Sequence, residues 1–163
     1  MATLSGNLYG TEFNNTYVAE PEVKNDVTLQ HGRLRYLSGT YTIPSGDVIG
    51  TSAIIKLFKL PKGARVIECL ATSDDLGTTG DLNIGWAASE ETDENDVVLE
   101  AADEDGFFVA LDVNAGAVSR TAMASTVAGY RKKFDAAVDV QVQPSEITTG
   151  AGDILLEMYY VLD

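Results

Sequence analysis

Two adjoining stretches limit what this chain can become. Residues 54–70 read Ile54-Ile55-Lys56-Leu57-Phe58-Lys59-Leu60-Pro61-Lys62-Gly63-Ala64-Arg65-Val66-Ile67-Glu68-Cys69-Leu70, and residues 75–86 read Asp75-Leu76-Gly77-Thr78-Thr79-Gly80-Asp81-Leu82-Asn83-Ile84-Gly85-Trp86. In each, two short apolar runs meet at turn residues, Pro-Lys-Gly in one and Gly-Thr-Thr-Gly in the other. Tight turns join antiparallel neighbours, because parallel ones need a long crossover. The pattern therefore predicts an all-β domain, an antiparallel β-sandwich or jelly roll.

Period-2 alternation extends that reading along the chain. It predicts strands near 36–43, 50–60, 65–72, 80–88, 106–112, 137–143 and 153–162, with a further candidate near 97–101. The clearest is Ala137–Gln143, where Val138, Val140 and Val142 alternate with Asp139, Gln141 and Gln143, as on a half-buried strand. Leu82, Ile84 and Trp86 form a similar face, which makes Trp86 a core residue. Ile154, Leu156, Met158, Tyr160 and Leu162 share one side of the last strand. Its other side carries Leu155, Tyr159 and Val161 beside Asp153 and Glu157, and the run Ile54–Leu60 is also apolar on both sides. Strands of that kind lie in the middle of a sandwich or under another chain, so a neighbouring subunit or the N-terminal segment is expected to cover some sheet surface. Residues 114–129 are rich in small side chains and suit a short helix or a small-residue loop equally well.

Residues 1–35 differ from the rest. Isolated Leu4, Leu8, Tyr9, Phe13 and Tyr17 are spaced among Asn, Gly, Thr and Glu with no sustained period. Such a segment cannot bury a contiguous apolar face alone. It reads as an extended arm with aromatic anchors or as a frayed terminus. The expected organisation is an arm over 1–35 and a β-sandwich over 36–163. The start of the chain has neither a basic n-region nor an apolar h-region, and no apolar run approaches membrane-spanning length. A soluble protein made in a cytoplasm is expected.

Charge and chemistry narrow the function. The net charge is −14, and nine carboxylates lie between Glu90 and Asp105 with no Lys or Arg among them. This field repels phosphate and argues against nucleic acid as a partner. The segment reads as a solvated loop. Asp103-Glu104-Asp105-Gly106 is only a fragment of a calcium-loop pattern. The basic run Tyr130-Arg131-Lys132-Lys133-Phe134 reads as a solvated turn or, with Arg33 and Arg35, as a surface for an acidic partner. The one histidine, His31, and the one cysteine, Cys69, cannot build an ordinary zinc site. No nucleophile elbow or phosphate-cradling loop occurs. No catalytic residue, cofactor site or metal site is assigned, and the chain is expected not to be an enzyme. Carbohydrate binding on a platform of Trp86, Tyr159 and Tyr130 is the alternative.

The segment Gly50–Trp86, with Lys59-Leu60-Pro61-Lys62-Gly63-Ala64-Arg65-Val66, Thr72-Ser73-Asp74-Asp75-Leu76-Gly77 and Asp81-Leu82-Asn83-Ile84-Gly85-Trp86, resembles small structural proteins from the head-gene region of tailed bacteriophages. That group includes capsid decoration, or cement, proteins. The resemblance implies a β-sandwich or jelly-roll subunit, often trimeric, that sits on the major capsid protein lattice and reinforces it against DNA pressure. It implies a place on the virion surface, reached from the host cytoplasm during assembly. Tyr9, Phe13, Tyr17, Arg33 and Arg35 are the expected clamp on capsid protein or an adjacent protomer. Phe58 and Tyr159 mark the expected subunit interface.

Overall fold

The computed structural model describes residues 33–78, 80–114, 117–146, 148 and 150–162. The chain divides into two units, Met1–Arg33 and Leu34–Asp163, and the second is described below. Tyr9, Phe13, Tyr17 and His31 lie outside the described residues, as do the arm reading and most of the expected 1–35 segment.

The strands are β1 (Arg35–Ile43), β2 (Ile55–Leu60), β3 (Ala64–Ser73), β4 (Asp81–Trp86), β5 (Asp103–Asp112), β6 (Val118–Ala122), β7 (Val138–Pro144) and β8 (Gly152–Leu162). They form two antiparallel four-stranded sheets, ordered β1-β8-β3-β6 and β2-β7-β4-β5. The first strand pairs with the last, the second with the seventh, the third with the sixth and the fourth with the fifth. A long two-stranded ribbon folded over on itself gives this order, which is that of an eight-stranded jelly roll.

This topology corrects the reading of the turns. Pro61-Lys62-Gly63 connects β2 of one sheet to β3 of the other, and Gly77–Gly80 carries the chain from β3 back to β4. Neither is a hairpin; both are arches across the sandwich. Gly63 and Gly77 have φ of 80° and 111°, so each arch needs a residue that tolerates the left-handed region. Their flanking backbone groups bond elsewhere: Gly63 N–H donates to Phe134 O at 2.8 Å and Gly150 N–H to Leu76 O at 2.7 Å.

Between the sheets lie Ile43, Leu60, Val66, Leu76, Leu82, Ile84, Phe107, Phe134, Val138, Val140, Val142, Ile154, Leu156 and Met158. Trp86 is 2% exposed, with its ring centroid 5.1 Å from Phe107 and 5.0 Å from Phe134. Gly106 makes that packing possible, since a Cβ there would come within 2.1 Å of the Trp86 ring. Alternation thus located the inward faces of β4, β7 and most of β8, although Leu162 is exposed at the strand end.

Four expectations about elements change. Residues 50–54 precede β2, and a register shift between Lys56 and Phe58 lets Ile55 and Leu60 both face inward. Without that bulge, side chains five apart would point to opposite faces. Residues 118–122 form β6, neither helix nor loop, because β3 offers them a ladder. The 97–101 candidate is not a sheet strand; Val98 makes an isolated bridge to Thr92. Finally, β5 begins at Asp103, so the carboxylates of Asp103, Glu104 and Asp105 stand on a strand.

Candidate binding surface

The outer face of the β1-β8-β3-β6 sheet carries an aromatic and ionic network. Tyr36 stands opposite Tyr159 in the β1·β8 register, with ring centroids 5.2 Å apart. The Tyr36 hydroxyl donates to Glu157 Oε1 at 3.0 Å. From β6, Arg120 Nε reaches Glu157 Oε2 at 2.7 Å and Arg120 Nη2 reaches the Tyr159 hydroxyl at 3.4 Å. The Arg120 hydrogen bond holds the Glu157 carboxyl below its ordinary value, and Tyr36 adds to it. The second face of β8, expected to need cover from a neighbouring subunit or the N-terminal segment, is therefore partly covered by Tyr36 and Arg120 of its own sheet. Tyr159 is half-buried and Val161 buried.

The residues singled out from the sequence scatter. Arg33 and Arg35 are exposed, and Arg35 pairs across the ladder with Tyr160, next to the Tyr36–Tyr159 pair. Phe58 sits in the other sheet, half-buried and packed against its own core. Gly39 of β1 backs it; a Cβ there would lie 2.9 Å from Leu57 Cβ and 3.0 Å from Phe58 Cδ1. The open apolar face expected of residues 54–60 is thus largely closed by β1. Tyr36, Arg120 and Glu157 were missed. Tyr36 and Glu157 were visible as outward positions of predicted strands, but Arg120 lay in a segment not read as a strand.

Between β4 and β5 the acidic segment folds as a small hairpin at one end of the sandwich. Ser89 N–H donates to Glu100 O at 2.9 Å, Leu99 N–H to Glu91 O at 3.0 Å and Asp93 N–H to Val97 O at 2.8 Å. Asp93 Oδ1 accepts the N–H groups of Asn95 and Val97 at 2.8 and 3.0 Å. Those bonds, Val97's foremost, hold its carboxyl below the ordinary value. Asp96 takes φ of 60°, a conformation that Asp tolerates better than most residues.

Lys62 of the β2–β3 arch and Lys132 of the β6–β7 connection fasten this hairpin to the body. Lys62 Nζ lies 2.8 Å from Glu91 Oε2, and Lys132 Nζ lies 2.8 Å from Glu100 Oε2. Glu100 is 5% exposed and also accepts the Asp135 N–H at 2.7 Å. Lys132 passes 5.8 Å from the Trp86 centroid and 5.1 Å from that of Phe134, while Trp86 Nε1 donates to Ala101 O at 2.9 Å. Lys132 is thus no solvated turn residue. Its acidic partner belongs to the same chain.

The remaining chemistry is sparse. Cys69 is buried, and burial pushes its thiol far up. Burial and a hydrogen bond with Asp105 raise Asp103. Among the described residues no group of three or more His, Cys, Asp or Glu could hold a metal ion, and no helix is long and apolar enough to cross a membrane. A recess of about 270 Å³ is lined by Lys62, Gly63, Lys133, Phe134 and Asp135. Trp86 in the core dismantles the three-ring carbohydrate platform.

No protein-family model matches the chain, and neither does any curated protein. Solved structures do. A chain of the cyanophage Pam1 capsid asymmetric unit superposes with a TM-score of 0.62 at 20% identity, over 99% of this chain and 94% of that one. A chain from the capsid of Ralstonia phage GP4 gives 0.58 at 24% identity, over 81% of this chain and 86% of that one. What is shared is the fold. At these identities the likeness fixes the arrangement of the sheets and assigns no residue a role.

Proposed function

We propose that this chain is a non-enzymatic structural protein of a bacteriophage virion, one that binds the capsid surface and stabilises the lattice as a cement protein. The observation that carries the reading is the two-way match to the Pam1 capsid chain, covering 99% of one and 94% of the other. Nearly the whole chain therefore corresponds to one component of that particle. The GP4 capsid chain supports it independently. A jelly roll closed around a buried apolar core, with its thiol buried, suits a mechanical role.

The subunit acts as a homo-oligomer, with a trimer favoured, attached to the major capsid protein by several contacts at once. On a repeating lattice, weak contacts multiply into strong attachment. Tyr9, Phe13, Tyr17, Arg33 and Arg35 supply the clamp, and the Tyr36–Tyr159 face is the candidate for contact between subunits. The test uses heads purified from phage lacking this gene. The full-length protein saturates them at a fixed copy number and raises their resistance to heat or chelation. Deletion of residues 2–30 abolishes attachment while the jelly roll stays folded. Full-length protein that fails to bind such heads refutes the cement role, and retained binding by the deletion refutes the arm as clamp.

A further inference from the structure

Two surfaces at one end of the sandwich complement each other. The first is the tip of the acidic hairpin, where Val97, Val98 and Leu99 are 58%, 39% and 37% exposed. Isolated exposed hydrophobes are ordinary, whereas contiguous ones within a polar rim mark an interaction site. In that rim Glu91 is held by Lys62, but Glu90 and Glu94 are exposed and enter no ion pair among the described residues. The second surface runs across the β1-β8-β3-β6 sheet. Arg35 stands opposite Tyr160, Tyr160 opposite Val66, and the Val66 N–H donates to Lys132 O. At roughly 4.8 Å from strand to strand, this row sets Arg35 and the 130–132 segment about 14 Å apart. Lys132 also holds Glu100, so the hairpin springs from the same end. Leu34, Tyr130 and Leu162 are exposed along the row. Arg35 and Arg131 rim it, both exposed and paired with no carboxylate among the described residues. Arg131 takes φ of 56°, a costly conformation for a bulky residue and one that recurs at binding sites. Its guanidinium stands 5.5 Å from the Tyr130 ring centroid.

We infer that this protein self-associates head to tail, the Val97-Val98-Leu99 tip of one copy docking on the row rimmed by Arg35 and Arg131 of the next. The inference deepens the homo-oligomer of the proposed function and rests on it. Charge complementarity selects the occupant. The tip offers an apolar centre with unpaired carboxylates, the row an apolar centre with unpaired guanidinium groups, and within one chain the two sets do not pair. A chain that carries both halves of a contact joins unlike faces, and such a contact closes into a ring where the rotation allows. The row is continuous with the Tyr36–Tyr159 face, since Arg35 adjoins Tyr36 on β1. The hairpin is braced at its base by Lys62–Glu91, Lys132–Glu100 and the Trp86–Ala101 hydrogen bond. A braced tip loses little conformational freedom on docking.

The test is the solution mass of the full chain by light scattering over a concentration series. E90K/E94K reverses the rim of the tip, and R35E/R131E reverses that of the row. Each is expected to weaken association about tenfold or more, because like charges then meet. E90K/E94K also makes the chain less negative, so general repulsion alone predicts the opposite sign. The combined variant E90K/E94K/R35E/R131E exchanges the signs and is expected to recover association to within about threefold of the parent. Such recovery separates pairing from folding, since a misfolded tip is not repaired by charges on the row. V97T/V98T/L99T keeps every charge and is expected to lower the mass as well. Variants that keep the parent's mass at every concentration overturn the inference and leave the homo-oligomer intact. So does a combined variant that stays dissociated. Variants that keep the mass but no longer bind heads lacking the gene assign the tip to the capsid protein and also overturn it. A parent that is monomeric throughout is a different result and removes the reading beneath.

Discussion

Lys132→Met is expected to be the most damaging single change in the β6–β7 connection, which braces the acidic hairpin. In the parent, Lys132 Nζ is 2.8 Å from Glu100 Oε2, and the two side chains keep 28% and 6% of their exposure. Removing one partner of a buried pair costs about 3–5 kcal/mol, because the other charge stays buried without compensation. Lys132 is partly solvated and Glu100 retains the Asp135 N–H, which places the ionic part nearer 2 kcal/mol. Loss of the cation beside the Trp86 and Phe134 rings adds about 0.5–1 kcal/mol. Met fills most of the vacated volume, so packing contributes little.

The sum is about 3 kcal/mol. For a unit spanning Leu34–Asp163, an unfolding entropy of about 2.1 cal/mol/K per residue turns this into a fall of roughly 10 °C in Tm. The assay is calorimetric or fluorescence-detected melting at fixed protein concentration, since self-association would make Tm concentration-dependent. K132M/E100Q distinguishes a stranded charge from a packing defect. The Gln amide still accepts the Asp135 N–H but carries no charge, so about half the lost stability should return. A K132M shift below about 3 °C, or no recovery in the double variant, refutes the claim that Lys132 neutralises a buried Glu100.

Other expectations concern the core, the hairpin turn and the thiol. Gly106→Ala places a methyl 2.1 Å from the Trp86 ring and should destabilise by about 1–3 kcal/mol, with a changed near-ultraviolet dichroism; an unperturbed spectrum and Tm would contradict the packing. Since the Val97 and Asn95 N–H groups depress the Asp93 carboxyl, its stabilisation of the turn is complete above the ordinary carboxylate range and is lost as pH falls through the lowered value. Hydrogen-exchange protection at Asn95 and Val97 should therefore drop as pH is taken below the ordinary carboxylate value of about 4 and should be lost at neutral pH in D93A; flat protection factors would refute it. Cys69, buried and with its thiol pushed up, should resist alkylation at pH 8 until denaturant is added, whereas fast labelling of the folded protein would contradict its burial.

Strand positions were legible because burial on one face writes a period of two into β4, β7 and β8. Sheet membership was not. A Pro-Lys-Gly or Gly-Thr-Thr-Gly turn states that the chain reverses, but a hairpin and an arch across a sandwich need the same local residues. What separates them is which distant strand supplies the ladder, as β7 does for β2 and β8 for β3. That information is spread over much of the chain, since the ribbon order pairs β1 with β8. The two-faced apolar run at Ile54–Leu60 misled for a related reason. A bulge between Lys56 and Phe58 shifts the alternation by one residue, and no residue type in the run announces it. The strand β6 left no apolar period because four of its five residues are exposed; its pairing with β3 decides its conformation.

Surface chemistry was legible in composition but not in placement. The run of carboxylates from Glu90 to Asp105 was plain, yet the fold puts it to three uses. Residues 90–99 form the projecting hairpin, Glu100 is buried against Lys132, and Asp103–Asp105 open β5. Likewise the basic run 131–133 read as a solvated turn or a surface for an acidic partner, and its Lys132 has an acidic partner, Glu100, inside the chain. This internal pairing has a consequence for assembly. With Lys56, Lys59, Lys62, Arg120 and Lys132 occupied at home, much of the negative charge has no counterweight on the surface. Oligomers of like charge repel one another in solution, and a cationic lattice would draw them together at the place where their repulsion is screened. Within the cement reading, the same charge distribution that opposes further association of free oligomers favours their gathering on the capsid.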